Sequence, residues 1–117
     1  MSRYTVTAER SGEWWVLQAT EAPGAISQIA QLRDAGEIKE AIAFVTGEAE
    51  DEIEIVLDHE YEVSVTRDGG WWMVHIPELG GLTQARSVDE VPLMAAEYVA
   101  VTTGALQSGV KIRLANP

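Results

Sequence analysis

Between residues 61 and 76, apolar and polar side chains alternate. Glu62 and Ser64 separate Tyr61, Val63 and Val65, while Met73 and His75 separate Trp72, Val74 and Ile76. A period of two marks a strand with one buried face. Asp68-Gly69 lies between the two runs and predicts a two-residue type I′ hairpin. Closing the turn there sets Arg67 opposite Gly70, Val65 opposite Trp72, Val63 opposite Val74 and Tyr61 opposite Ile76. The shared core face is then Tyr61, Val63, Val65, Trp72, Val74 and Ile76. Residues 4–19 carry the same pattern around Ser11-Gly12, with Tyr4, Val6, Ala8, Trp15, Leu17 and Ala19 inward. Turns at Ala22-Pro23-Gly24 and Leu79-Gly80-Gly81 precede short third strands near 25–29 and 82–86.

The period then changes. Ile38, Ile42 and Val45 are spaced four and three apart, which predicts a helix within 35–47. Asp34 is its expected N-cap, with Glu37 three residues on. In the later half Ser87 and Glu90 have the same spacing, but Pro92 is tolerated only in the first turn of a helix. A cap at Asp89 satisfies both, leaving Val91, Ala95, Tyr98 and Thr102 as the inner stripe. Gly47 and Gly104 stand where helix C-caps belong. Alternation returns in Glu52–Leu57 and Val110–Leu114, with Ile53, Ile55, Leu57, Val110, Ile112 and Leu114 inward.

The two halves are copies. A shift of 57 residues without a gap gives 14 identities over residues 4–57. Arg10, Gly12 and Trp14-Trp15 fall on Arg67, Gly69 and Trp71-Trp72; Gly24 falls on Gly81, and Thr46-Gly47 falls on Thr103-Gly104. A tandem duplication of one β-β-β-α-β module follows, spanning 1–58 and 59–117. The fold class is α+β, each module a small, mostly antiparallel sheet with one helix on one face. The joint, Asp58-His59-Glu60, is too short for a flexible linker. A unit of this size has a marginal core alone, so the modules are expected to pack together.

Composition narrows the function. The 117 residues contain no cysteine, which excludes disulfides, thiol nucleophiles and Cys-based zinc sites. No apolar run reaches the roughly 20 residues of a membrane helix, and the first residues lack a signal-peptide pattern. A cytoplasmic protein is the expectation. Net charge is −11, with −8 in residues 1–58 and −3 in 59–117. So few basic residues argue against direct nucleic-acid binding and suit a basic partner surface.

No nucleotide, hydrolase or metalloprotease motif is present, so no enzyme, cofactor or metal is expected. His75 is set opposite Glu62 as a cross-strand ion pair. Glu48-Ala49-Glu50-Asp51-Glu52 reads as a solvated loop, and Gly80-Gly81 as a turn. The candidate surface lies with the Trp pairs. Adjacent strand residues face opposite ways, so Trp15 and Trp72 turn inward and Trp14 and Trp71 outward, beside Val16 and Met73. With Glu9 and Glu62 on the same faces, Trp14, Val16, Trp71 and Met73 form the candidate partner-binding set. Such outward rings would dock another protein, pack the modules together or seal a homodimer.

Residues 61–104 resemble the N-terminal module of HicB-family antitoxins. The resemblance rests on a Gly-containing turn, an aromatic-rich second strand, the segment Pro77-Glu78-Leu79-Gly80-Gly81, Thr83 in the third strand, and Asp89-Glu90 opening the helix. Module one keeps the hairpin and the Trp pair, with Thr20-Glu21-Ala22-Pro23-Gly24 in place of the family segment. The resemblance implies a degraded ribonuclease-H-like fold and a function as an antitoxin that masks a small, basic, RNA-cleaving toxin. Many members add a DNA-binding segment. Here only Ala115-Asn116-Pro117 follow Leu114, so repressor activity is not carried over. The alternative, of another class, is a structural or regulatory homo-oligomer that uses the outward Trp face for self-association.

Overall fold

Both alternating runs of each half become strands, and the 3.6-residue stretches become helices. The structure is a computed structural model describing residues 1–115. Module one contains β1 (Ser2–Ser11), β2 (Trp14–Ala19), β3 (Ile26–Ile29), α1 (Ile38–Thr46) and β4 (Ile53–Asp58). Module two contains β5 (Glu60–Asp68), β6 (Trp71–Ile76), β7 (Gly81–Ala85), α2 (Val91–Thr103) and β8 (Lys111–Leu114). The fold is α+β, and each module is a four-stranded mixed sheet of order β3-β2-β1-β4 or β7-β6-β5-β8. The hairpins are antiparallel. β4 and β8 run parallel to β1 and β5, because a helix lies between them and returns the chain to the same end.

The hairpin register differs from the sequence expectation by two residues. Asp68 opposes Trp71, Arg67 opposes Trp72 and Val65 opposes Val74, while Ser11 opposes Trp14 in module one. The loops are therefore Gly69-Gly70 and Gly12-Glu13. Each has positive φ at its first residue only, +61° at Gly12 and +62° at Gly69. That is the φ pattern of a type II′ turn, with Gly at the first central position, and not of type I′. A slip of two keeps every side chain on its face, so the expected core faces survive. Tyr4, Val6, Leu17, Ala19, Tyr61, Val63, Val74 and Ile76 are buried, with Ala8, Trp15, Val65 and Trp72 packed against them. His75 consequently faces Ser64, and its Nε2 lies 3.3 Å from the Thr66 hydroxyl; Glu62 instead meets Arg113 at 3.6 Å.

The helices begin later than their sequence boxes suggest. A 3-10 turn at Leu32–Glu37 precedes α1, and another at Val88–Glu90 precedes α2. Neither Asp34 nor Asp89 caps: the residues before the helices are Glu37 and Glu90, without side-chain caps. Ile38 and Ile42 are buried, while Val45 is exposed. The inner stripe of α2 is Val91, Ala95, Val99 and Thr103, and Tyr98 and Thr102 sit half-buried at its margin. Both helices end on a left-handed glycine, Gly47 or Gly104, whose N–H bonds the carbonyl of Ala43 or Ala100. The preceding Thr46 and Thr103 hydroxyls bond the Ile42 and Val99 carbonyls at 2.7 Å.

The gapless alignment conceals two compensating steps. Ile76 pairs with Gly81, whereas Ala19 bonds Ala25, so the place of Ala25 is held by Gly81, one residue earlier than the 57-residue shift predicts. The identity of Gly24 with Gly81 is therefore not an equivalence of place. Register returns through winding. The buried Ala35 and Ile38 are three residues apart where the 3-10 turn meets α1, and the buried Val91 and Ala95 are four apart on an α-helix.

Buried residues of both modules form one continuous cluster. At the junction Trp15 meets His59 edge-on at 5.3 Å between ring centres, and His59 meets Tyr61 at 4.8 Å. The Leu106 N–H donates to the Ile55 carbonyl on the outer edge of β4 at 2.8 Å, Arg33 donates to the Leu79 carbonyl, and Lys111 donates to Asp58 at 2.6 Å.

Candidate functional site

Each hairpin tip is built from the residues the duplication preserved. Arg10 lies over the inward Trp15 at 5.3 Å and donates from Nε to the Gly12 carbonyl; Arg67 lies over Trp72 at 4.8 Å and bonds the Gly69 carbonyl. The guanidinium thus ties the turn to the inner indole through a cation–π contact and one hydrogen bond. With the inner ring held there, the neighbouring Trp14 or Trp71 projects from the opposite face, as strand geometry requires. These outer indoles are 46% and 42% exposed.

The surroundings of the two outer rings differ. On sheet one, Trp14 opposes Ser11, and Val16 lies between Glu9 of β1 and Gln28 of β3. Trp14, Val16 and Glu9 therefore form one contiguous patch. On sheet two, Trp71 opposes Asp68, and Met73 lies between Thr66 and Gln84, whose amide nitrogen is 3.7 Å from the Met73 sulfur. Arg86 lies 5.9 Å from the Trp71 ring centre, giving this patch a basic margin that Trp14 lacks. Glu62 does not join it. The register places Glu62 at the far end of the sheet, about 20 Å along the strands from Trp71. There it is held beside Arg113.

Further exposed apolar residues escaped the sequence reading. Phe44 of α1 and Val101 of α2, one repeat apart, are both exposed, as are Ile26, Leu82 and Leu93. Gly24, Ile26, Ala41, Phe44 and Val45 line a shallow groove of about 410 Å³ between β3 and α1. The signal was present, since Phe44 lies off the Ile38–Ile42 stripe, but apolarity alone does not say which face a helix buries. Among the described residues, no three His, Asp or Glu side chains converge as a metal site requires, and no helix is long and apolar enough to cross a membrane. No family model, curated protein or solved structure matches the chain.

Proposed function

We propose that this protein is a non-catalytic, HicB-like antitoxin of the cytoplasm that binds and masks a small basic RNA-cleaving toxin. The observation that carries the reading is the outer indole, Trp14 or Trp71, repeated at equivalent, half-exposed positions on a chain of net charge −11. Half-exposed Trp rings are the residues that anchor protein interfaces when a partner desolvates them. The acidic surface adds steering toward a basic partner. Patch one, with Glu9 beside Trp14 and Val16, suits such a partner better than patch two, where Arg86 borders the ring.

The test is co-expression with the product of a neighbouring small basic reading frame. A stable complex and restored growth are expected, with Trp14→Ala weakening the complex at least tenfold, about 1.4 kcal/mol. Absence of both complex and rescue sinks the reading. If instead Trp14→Ala and Trp71→Ala lower the mass of the protein alone in solution, the outward indoles serve self-association, and the homo-oligomer reading replaces it.

A further inference from the structure

The junction between the modules is head-to-tail. Module one contributes Trp15, Arg33, Ile55, Val56 and Asp58; module two answers with His59, Leu79, Leu106, Gly109 and Lys111. Moved back by one repeat, the second set falls on Ser2, Ala22, Ala49, Glu52 and Glu54. No position belongs to both sets, so the junction is heterologous. Each module has one surface of either kind, and a heterologous contact leaves one of each unused at the two ends.

Among the described residues, the unused surface of module two is uncovered. Leu57 on β4 is 3% exposed, and its counterpart Leu114 on β8 is 49% exposed. Leu32 opens the 3-10 turn of module one and is 1% exposed; Val88, which opens the corresponding turn of module two, is 55% exposed. Module two lies against the same elements of module one, through Leu106 and Gly109 on β4 and through the Arg33–Leu79 bond on the 3-10 turn. The unused surface of module one is smaller and more polar, with the buried Ala22 in the place of Leu79, the exposed Ala49 in that of Leu106, and the Tyr4 hydroxyl donating to Glu48.

Charge says what fits. Internally, a Cβ on Gly109 would lie 2.6 Å from Val56, so these two positions touch across the junction. Their counterparts are Glu52 on the module-one end and Arg113 on the module-two end. Arg10 and Glu78 line one cleft at the internal junction, and their counterparts are Arg67 and Glu21. Both transposed pairs carry opposite charges, with Arg113 also 3.8 Å from Glu60 and 3.6 Å from Glu62 of its own module. The Lys111–Asp58 pair, in contrast, transposes to Glu54 and Ala115 and is not repeated. We propose that the free end of module two, marked by Val88, Arg113 and Leu114, docks the module-one end of a second copy of this chain, repeating the internal junction between molecules. This rests on the junction alone and is independent of the antitoxin reading.

Sedimentation velocity of the full chain from micromolar to millimolar concentration tests it. Mass should rise through multiples of 12.8 kDa with concentration and fall with added salt. Leu114→Glu with Val88→Glu blocks one end, and Glu52→Arg blocks the other; each should weaken association at least tenfold. An equimolar mixture of the two blocked chains should stop at a dimer. Arg113→Glu combined with Glu52→Arg should restore growth of the assembly. The altered side chains are exposed, and circular dichroism verifies that the variants fold. A monomer at every concentration overturns the proposal. So does association that the end variants leave untouched, or a dimer formed by either blocked chain alone.

Discussion

The Tyr61 hydroxyl is buried without a hydrogen-bond partner among the described residues, and its ring meets the His59 ring edge-to-face. Burial and the Glu78 carboxylate both push its pKa well above the ordinary value of 10.0, so it stays protonated. A buried hydroxyl without a partner loses its bonds to water and gains none. Tyr61→Phe should therefore raise stability by about 1 kcal/mol, read as a higher urea midpoint with unchanged slope. Gly81 is constrained in the opposite sense. A Cβ there would lie 2.3 Å from the Tyr98 ring, so Gly81→Ala should cost about 1–3 kcal/mol, and less in a Tyr98→Ala background. The conserved pieces of the duplication, Arg10 with Trp15 and Arg67 with Trp72, were legible as repeated letters. Their contact was not, because spacing does not disclose that an arginine five residues before a tryptophan folds back over its ring.

Equivalent strands do unequal work. β4 carries the Leu106 and Gly109 contacts of module two, whereas β8 is an edge strand paired with β5 alone among the described residues, and its inward residues remain partly exposed. Leu57→Ala should cost about 2–5 kcal/mol and Leu114→Ala about 1 kcal/mol or less, measured by urea unfolding of the two variants. Strands, helices and their order were readable from periodicity, and so were the glycine caps. The hairpin register was not. Asp68-Gly69 and Gly69-Gly70 both make acceptable turns, and a slip of two preserves the pattern that sequence reading relies on. The helix starts were missed for a related reason: Asp34 and Ser87 have capping chemistry, but 3-10 turns move the first α-helical residue beyond their reach.

On the scale of the whole chain, one core and one junction bind the halves. Far-UV circular dichroism and tryptophan fluorescence should therefore report a single coincident unfolding transition. The junction also has a pH signature. The Lys111 bond and charge hold the Asp58 carboxyl below its ordinary 3.8, and Asp58 holds the Lys111 amine above 10.5. A depressed acid stabilises above its unfolded pKa and loses that contribution as pH falls through the folded value. A raised amine stabilises below its unfolded pKa and loses its contribution as pH rises through the folded value. The bond is thus intact across neutral pH. The stability difference between the wild type and Asp58→Asn should stay constant from about pH 5 to 9 and shrink below about pH 4, followed by urea midpoints.

The amino-acid sequence by itself determined the duplicated β-β-β-α-β unit, the inward faces of its strands and the outward turn of Trp14 and Trp71. These follow from periods of two and 3.6, which are local properties of the backbone. Only the tertiary structure decided the register, the parallel pairing of β4 and β8, the separation of Glu62 from Trp71 and the head-to-tail junction. Those depend on which of several locally equivalent arrangements buries the most apolar surface, and that choice is made by residues far apart along the chain.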